Sequence, residues 1–141
     1  MIEPFAQQLI LSDEAIRQRF GFEVLEAANG VCQLRGEVDP GWLNGAGFIH
    51  GSVCYALMDT ACAYACASRQ VLGVTTNGNI TYVKGASGNS TLLTQATVVS
   101  QSKRVMSLTA QVHDDAGALL AHGSFLFQLR SSATAAPTCD D

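Results

Sequence analysis

From His50 to Ser68 the chain reads HGSVCYALMDTACAYACAS, rich in Ala, Cys and Leu, with no Pro and no Gly after Gly51. The spacing predicts a helix over about residues 50–68, apolar nearly all the way round and therefore buried on most sides. The rest of the chain must supply something to wrap it. One residue breaks the pattern: Asp59 stands alone at the centre. A membrane span is the rival reading, but a central Asp costs about 2.5 to 3.5 kcal/mol on insertion and Ala compensates little. The helix reads as the buried centre of a soluble domain, with no membrane partner.

The wrapping is legible as strands. Phe22 to Ala28 and Val31 to Val38 flank Asn29-Gly30, the strongest short-range hairpin signal. Beyond the helix, strand-like runs cover Val74 to Val83, Thr91 to Ser100 and Val105 to His113, and Leu119 to Leu129 follows the Asp114-Asp115-Ala116-Gly117 turn. Before the hairpin, Phe5, Leu9, Ile16 and Phe20 mark one broken or two short helices, with Ser12-Asp13 as a helix N-cap. Between hairpin and helix, Pro40 to Ile49 is a Gly-rich loop whose Trp42, Leu43 and Phe48 need a place to dock, a candidate pocket wall. Strands joined by short turns, with one apolar helix between the second and third, imply an antiparallel sheet curled around that helix. This α+β arrangement is the hotdog fold. It divides as a helical segment 1–21, a hotdog domain 22–130 and a polar tail 131–141 expected to be disordered.

Charge bears on partners. The net charge of −4 argues against nucleic acid, yet residues 40–113 hold one acid, Asp59, against Arg69, Lys84, Lys103 and Arg104, a segment suited to an anion. With 48% hydrophobic and 14% charged residues, some apolar surface is expected to be covered by another subunit. Cys32, Cys54, Cys62, Cys66 and Cys139 lack C-x-x-C spacing and sit mostly in apolar runs, so they read as reduced thiols. Cys62 and Cys66 share a helix face without a third ligand, so no metal is predicted. The first residues carry no secretory signal, which points to the cytoplasm.

Leu43-Asn44-Gly45 through His50-Gly51 to Leu57-Met58-Asp59-Thr60-Ala61, then Ala63-Tyr64-Ala65-Cys66, resembles the phenylacetate-pathway (PaaI) acyl-coenzyme A thioesterases. Weaker similarity runs from about Phe22 to Leu129. The most specific element is Asn44, six residues to His50-Gly51, then Asp59. The resemblance implies a hotdog thioester hydrolase with active sites at subunit interfaces, in an obligate dimer that pairs into a dimer of dimers. It implies no cofactor. Three positions depart from the family pattern: Ser52 for a second Gly, Ala46 for a His, and Gly85 for a Pro after Lys84.

The residues support this chemically. A lone carboxylate in an apolar helix is costly unless it is hydrogen-bonded or functional, and burial of a carboxylate moves its pKa toward the range of general-base chemistry. Asp59 fits a general base that activates water, or a nucleophile that forms a mixed anhydride. The Gly51 N–H lies in the first helical turn, where amides are unsatisfied and the dipole favours negative charge, and the family places its polarising amide at this glycine. Eight residues of helix separate Gly51 from Asp59, about 12 Å at 1.5 Å per residue, too far for one thioester to touch both. The two groups acting on one substrate must therefore come from different chains.

The other candidates carry structural alternatives. Asn44 matches the family position for an amide near the carbonyl, and Asn before Gly is also an ordinary turn residue. His50 either caps the helix and orients the loop or contacts substrate. In some relatives a Ser or Thr on the strand after the helix positions the water, and Thr75 aligns there, with Thr76 next. Trp42, Phe48, Tyr55 and Met58 are candidates to line a pocket for an aromatic or medium-chain acyl group, and Lys84, Lys103 and Arg104 to hold coenzyme A phosphates. Two rivals remain. A hotdog hydratase or dehydratase normally has a Pro-containing loop after the His, which His50-Gly51-Ser52 lacks. A non-catalytic acyl-coenzyme A sensor normally carries a DNA-binding extension, for which residues 1–21 are too short and acidic.

Overall fold

The computed structural model describes residues 1–130. The segment 131–141 and its Cys139, for which disorder and a reduced thiol were expected, lie outside the described residues. Two short helices, α1 (Pro4–Ser12) and α2 (Glu14–Phe20), precede a hairpin of β1 (Phe22–Ala28) and β2 (Val31–Glu37). A single 3-10 turn at Pro40–Trp42 leads to α3 (Gly51–Ala67), and β3 (Gly73–Tyr82), β4 (Thr91–Gln101), β5 (Val105–Asp114) and β6 (Leu119–Leu129) complete the chain.

The six strands form one antiparallel sheet in the order β1-β2-β4-β5-β6-β3. It curls around α3, which touches every strand. This is the hotdog fold. The hairpin turns as its chemistry requires, because Asn29 at φ 55° and Gly30 at φ 79° are the two positive-φ residues of a type I′ turn. Ser68 Oγ at the end of α3 accepts the Gly30 N–H at 2.8 Å, fastening that turn to the helix.

Side chains of Leu57, Met58, Ala61, Cys62, Ala65 and Cys66 on α3 meet Leu34, Leu92, Met106, Leu108, Phe125 and Phe127 of the sheet in one core. The N-terminal helices belong to it too, since α1 buries Ala6 and Ile10. Asp13 stands at the start of α2 but makes no side-chain cap. Its carboxylate instead accepts the buried Tyr64 hydroxyl at 2.9 Å, tying the helical segment to α3. The expected N-cap is thus replaced by a longer-range bond that satisfies an otherwise stranded phenol.

The burial of α3 is less complete than its composition predicts. A stripe of Ser52, Tyr55, Ala56, Asp59, Thr60 and Ala63 keeps some exposure in one protomer. Beside it β3 forms an open sheet edge, exposed along most of its ten residues. Among the described residues no helix is long and apolar enough to cross a membrane.

Candidate active site

Strand β3 runs antiparallel to β6 along the open side of α3, and a bulge decides which of its side chains face the helix. Thr75 pairs with Phe127 and Asn77 with Leu126, so Thr76 is the extra residue. Partners opposite one another in a ladder share a face. Phe127, Phe125 and Ala121 point into the core, so their partners Thr75, Gly78 and Tyr82 point toward α3. Thr75 and Tyr82 are seven positions apart, and unbroken alternation would send them to opposite faces. The bulge brings both inward. The Thr76 hydroxyl donates to the Leu126 carbonyl at 3.0 Å, where the ladder is interrupted.

At the middle of α3, Thr75 Oγ1 donates to Asp59 Oδ1 at 2.6 Å. Asp59 is half-buried rather than enclosed. The threonine occupies one carboxylate oxygen and leaves the acid on the open stripe, able to meet water or substrate. The neighbouring Met58 has no exposed surface and sits wholly in the core, because successive helical residues point about 100° apart. Tyr55, one turn before Asp59, packs edge-on against Phe125 with ring centroids 5.5 Å apart, over the space that Gly78 leaves by having no side chain.

At the start of α3, His50 is the N-cap. Its Nδ1 accepts the Ser52 N–H at 3.1 Å and lies 2.7 Å from Ser52 Oγ. Val53 N–H donates to the His50 carbonyl at 3.0 Å. The Gly51 N–H has no acceptor among the described residues and belongs to the unsatisfied first-turn amides that favour negative charge. Gly51 lines a cavity of about 430 Å³ with Asn44, Phe48, Cys54, Tyr82 and Lys84. Asn44 Oδ1 accepts the amides of Ala46 and Phe48 at 2.9 and 3.1 Å, shaping the loop and leaving its NH2 group as the donor toward the cavity. Phe48 is 49% exposed. A side chain at Gly85 would meet its ring at 2.9 Å, so glycine there leaves the ring its place.

The remaining candidates scatter. Trp42 is buried against Phe20 and borders a separate cleft with Arg19, Asp39 and His50. Lys84 lies at the Gly51 cavity, whereas Lys103 and Arg104 occupy the turn between β4 and β5. Lys84 N–H reaches the Leu120 carbonyl, while Arg104 accepts from Leu129. Nine residues of β6 separate those partners, roughly 30 Å at about 3.3 Å each. The three cations therefore do not cluster within one protomer, because closeness in charge pattern along the chain is not closeness in the sheet. Ala46, one of the three departures from the family pattern, is exposed and stands outside the cavity lining. Tyr82 and Cys54, which do line it, were not among the candidates. Tyr82 was hidden by the bulge, which no alternation in the sequence announces.

Cys32, Cys54, Cys62 and Cys66 are free, buried thiols, as expected. Burial pushes Cys66 up to about 12 and raises Cys32, Cys54 and Cys62 as well. Cys54 is thereby kept a neutral thiol despite its place in the cavity wall.

The family model of the thioesterase superfamily matches residues 46–121, more than half of the chain. The chain belongs to the thioesterase superfamily. The matched stretch contains Gly51, Asp59, Thr75 and Tyr82, so it spans both ends of α3 and all of β3. Among solved structures, the chain is similar to the PaaI protein of the Escherichia coli phenylacetic acid degradation operon, with 22% identity, 87% of this chain and 94% of that one covered, and a TM-score of 0.82. It is also similar to a variant of the phenylacetic acid degradation protein PaaI from Thermus thermophilus, with 26% identity, 81% and 97% coverage and a TM-score of 0.77. A hypothetical thioesterase protein from Streptococcus pneumoniae, solved with coenzyme A, shares the fold at 19% identity, 81% and 96% coverage and a TM-score of 0.76. Among curated proteins none matches this superfamily member in sequence.

Proposed function

We propose that this thioesterase-superfamily chain hydrolyses acyl-coenzyme A to a free acid and coenzyme A, with Asp59 as general base or nucleophile. The carrying observation is the Thr75–Asp59 contact at 2.6 Å on the open stripe of α3. A structural carboxylate would be expected to meet a buried base or a helix N-terminus. This one is held by a single hydroxyl and left open to a reactant. Water deprotonated by Asp59, or Asp59 itself, attacks the thioester carbon. The oxygen that gains negative charge is received by the Gly51 N–H, the C–S bond breaks and coenzyme A leaves as the thiolate; where Asp59 is the nucleophile, water then opens the resulting anhydride to release the acid and restore the carboxylate.

Gly51 and Asp59 stand about 12 Å apart along one helix, so the amide serving each Asp59 comes from a partner subunit. The open edge of β3 and the uncovered stripe beside it support an obligate dimer, since a long exposed edge strand calls for a partner. A dimer of dimers is the assembly we propose, in the cytoplasm. Phe48 and Tyr55 suit an aromatic or medium-chain acyl group, Asn44 the carbonyl region, and Lys84 a coenzyme A phosphate. An aromatic substrate would agree with the phenylacetic acid role named for two of the structural relatives.

A thiol-release assay over phenylacetyl-, benzoyl- and straight-chain acyl-coenzyme A, run beside Asp59→Asn, tests the reading. The wild type should release thiol, and the variant should lose roughly a hundredfold or more in kcat. Undiminished turnover in the variant would end the Asp59 proposal. Single-turnover hydrolysis in heavy-oxygen water detects the anhydride route, because label enters Asp59 only when water opens the anhydride at the Asp59 carbonyl carbon.

A further inference from the structure

Tyr82, the last residue of β3, is joined to the first residue of α3 in two ways. Its hydroxyl donates to the Gly51 carbonyl at 2.8 Å. Its ring lies so close that a Cβ at position 51 would meet Cζ and Oη at 3.1 Å and Cε1 at 3.2 Å. Glycine is the residue with the widest backbone freedom, and at a helix start its amide direction is not fixed by a side chain of its own. The His50 carbonyl, in the same peptide plane as the Gly51 N–H, is held by Val53 N–H, and the Tyr82 bond to the Gly51 carbonyl, with its ring beside Cα, restricts the remaining rotation on the other side of that residue. The bulge at Thr76 puts Tyr82 on the inner face together with Thr75, so one strand touches the acid of one composite site through Thr75 and, through Tyr82, the glycine whose amide serves the other.

We infer that Tyr82 is a positioning residue that aims the Gly51 N–H at the thioester oxygen. The inference rests on the proposed role of Gly51. An oxyanion donor works by being fixed before the reaction, so its contribution appears in the transition state rather than in substrate binding. Loss of the tyrosine hydroxyl leaves the amide in place but less well directed. The expected signature is a lower kcat at nearly constant KM. A role confined to holding β3 on α3 would lower stability and leave the chemical step unchanged. Tyr82 is 53% exposed within one protomer, so the protomer's own fold does not depend on burying it.

Tyr82→Phe removes only the hydroxyl. With phenylacetyl-coenzyme A as probe, kcat should fall roughly three- to tenfold, the scale of one neutral hydrogen bond, with KM within about twofold and an unchanged melting temperature. A second readout uses the slow Asp59→Asn background, where bound thioester can be observed by difference infrared spectroscopy. Gly51 N–H should lower the thioester carbonyl stretch, and adding Tyr82→Phe should return it toward the value in water. An unchanged kcat, a rise in KM alone or an unmoved carbonyl stretch overturns the assignment of Tyr82. If the wild type releases no thiol from any ester in the panel, the hydrolase reading fails and takes this inference with it. A wild type that hydrolyses, matched by Tyr82→Phe, overturns this inference alone.

Discussion

Replacing Gly51 by proline removes one amide proton and little else. Gly51 is the first residue of α3, and its N–H makes no intrahelical bond. His50 before it has φ −63° and ψ 137°, the extended conformation that a following proline requires. Proline is favoured at the first helical position, and Gly-to-Pro change at a compatible site stabilises by about 0.4 to 1 kcal/mol through the unfolded chain. Opposing this, the new Cβ meets the Tyr82 ring at 3.1 Å. Tyr82 is half exposed and can retreat by a few tenths of an ångström, so the net change in stability should stay within about 1 kcal/mol. Activity should behave differently, because loss of an oxyanion donor costs about 2.7 to 4 kcal/mol, a hundred- to thousandfold in kcat. Gly51→Ala is the control, since it presents the same Cβ but keeps the N–H, and should lose less than about tenfold. Thiol release and thermal melting, measured on both variants, decide the matter. A proline variant that melts normally and turns over within threefold of the wild type would refute the role given to this amide.

Two further outcomes follow from the same geometry. Thr75→Val keeps the shape of the side chain and removes its bond to Asp59, so kcat should fall roughly ten- to 150-fold, in line with a hydrogen bond to a charged group. The melting temperature should move little, because valine keeps the branched shape that Thr75 presents to α3, and an unchanged kcat would take Thr75 out of the site. The buried thiols predict alkaline lability. Cys66 titrates near 9.0 when unfolded and is pushed up to about 12 by burial. Its stabilising contribution is complete below pH 9 and is lost as pH rises toward 12, about 2 kcal/mol by pH 10.5 for this residue alone. Urea unfolding at pH 8 and 10.5 reads this directly, and equal midpoints would contradict it.

The helix, the hairpin and the strand boundaries were legible because each rests on local chemistry. Asn29-Gly30 can adopt positive φ twice in succession, and the run from Gly51 to Ala67 has no residue that breaks a helix. Asp59 was legible as a misfit in that run. What the chain pattern hides is parity and distance. The bulge at Thr76 reverses the alternation of β3 with no Gly or Pro at that position, and so conceals Tyr82. Met58 immediately precedes Asp59 in sequence but points into the core, and Lys103 and Arg104 lie at the far end of the sheet from Lys84. His50 carried two readings, cap or substrate contact, and the structure shows it capping α3 through Ser52, a residue that departs from the family pattern.

Subunit complementation tests the central claim most directly. Asp59→Asn and Gly51→Pro chains, each inactive as homodimers, can be coexpressed with different tags and the mixed dimer isolated by both. If each site takes its acid from one chain and its amide from the other, a mixed dimer holds one site with both defects and one with neither. It should recover about half of the wild-type turnover per dimer. A mixed dimer no more active than its parents would mean that acid and amide act within one chain, and the composite site would be wrong.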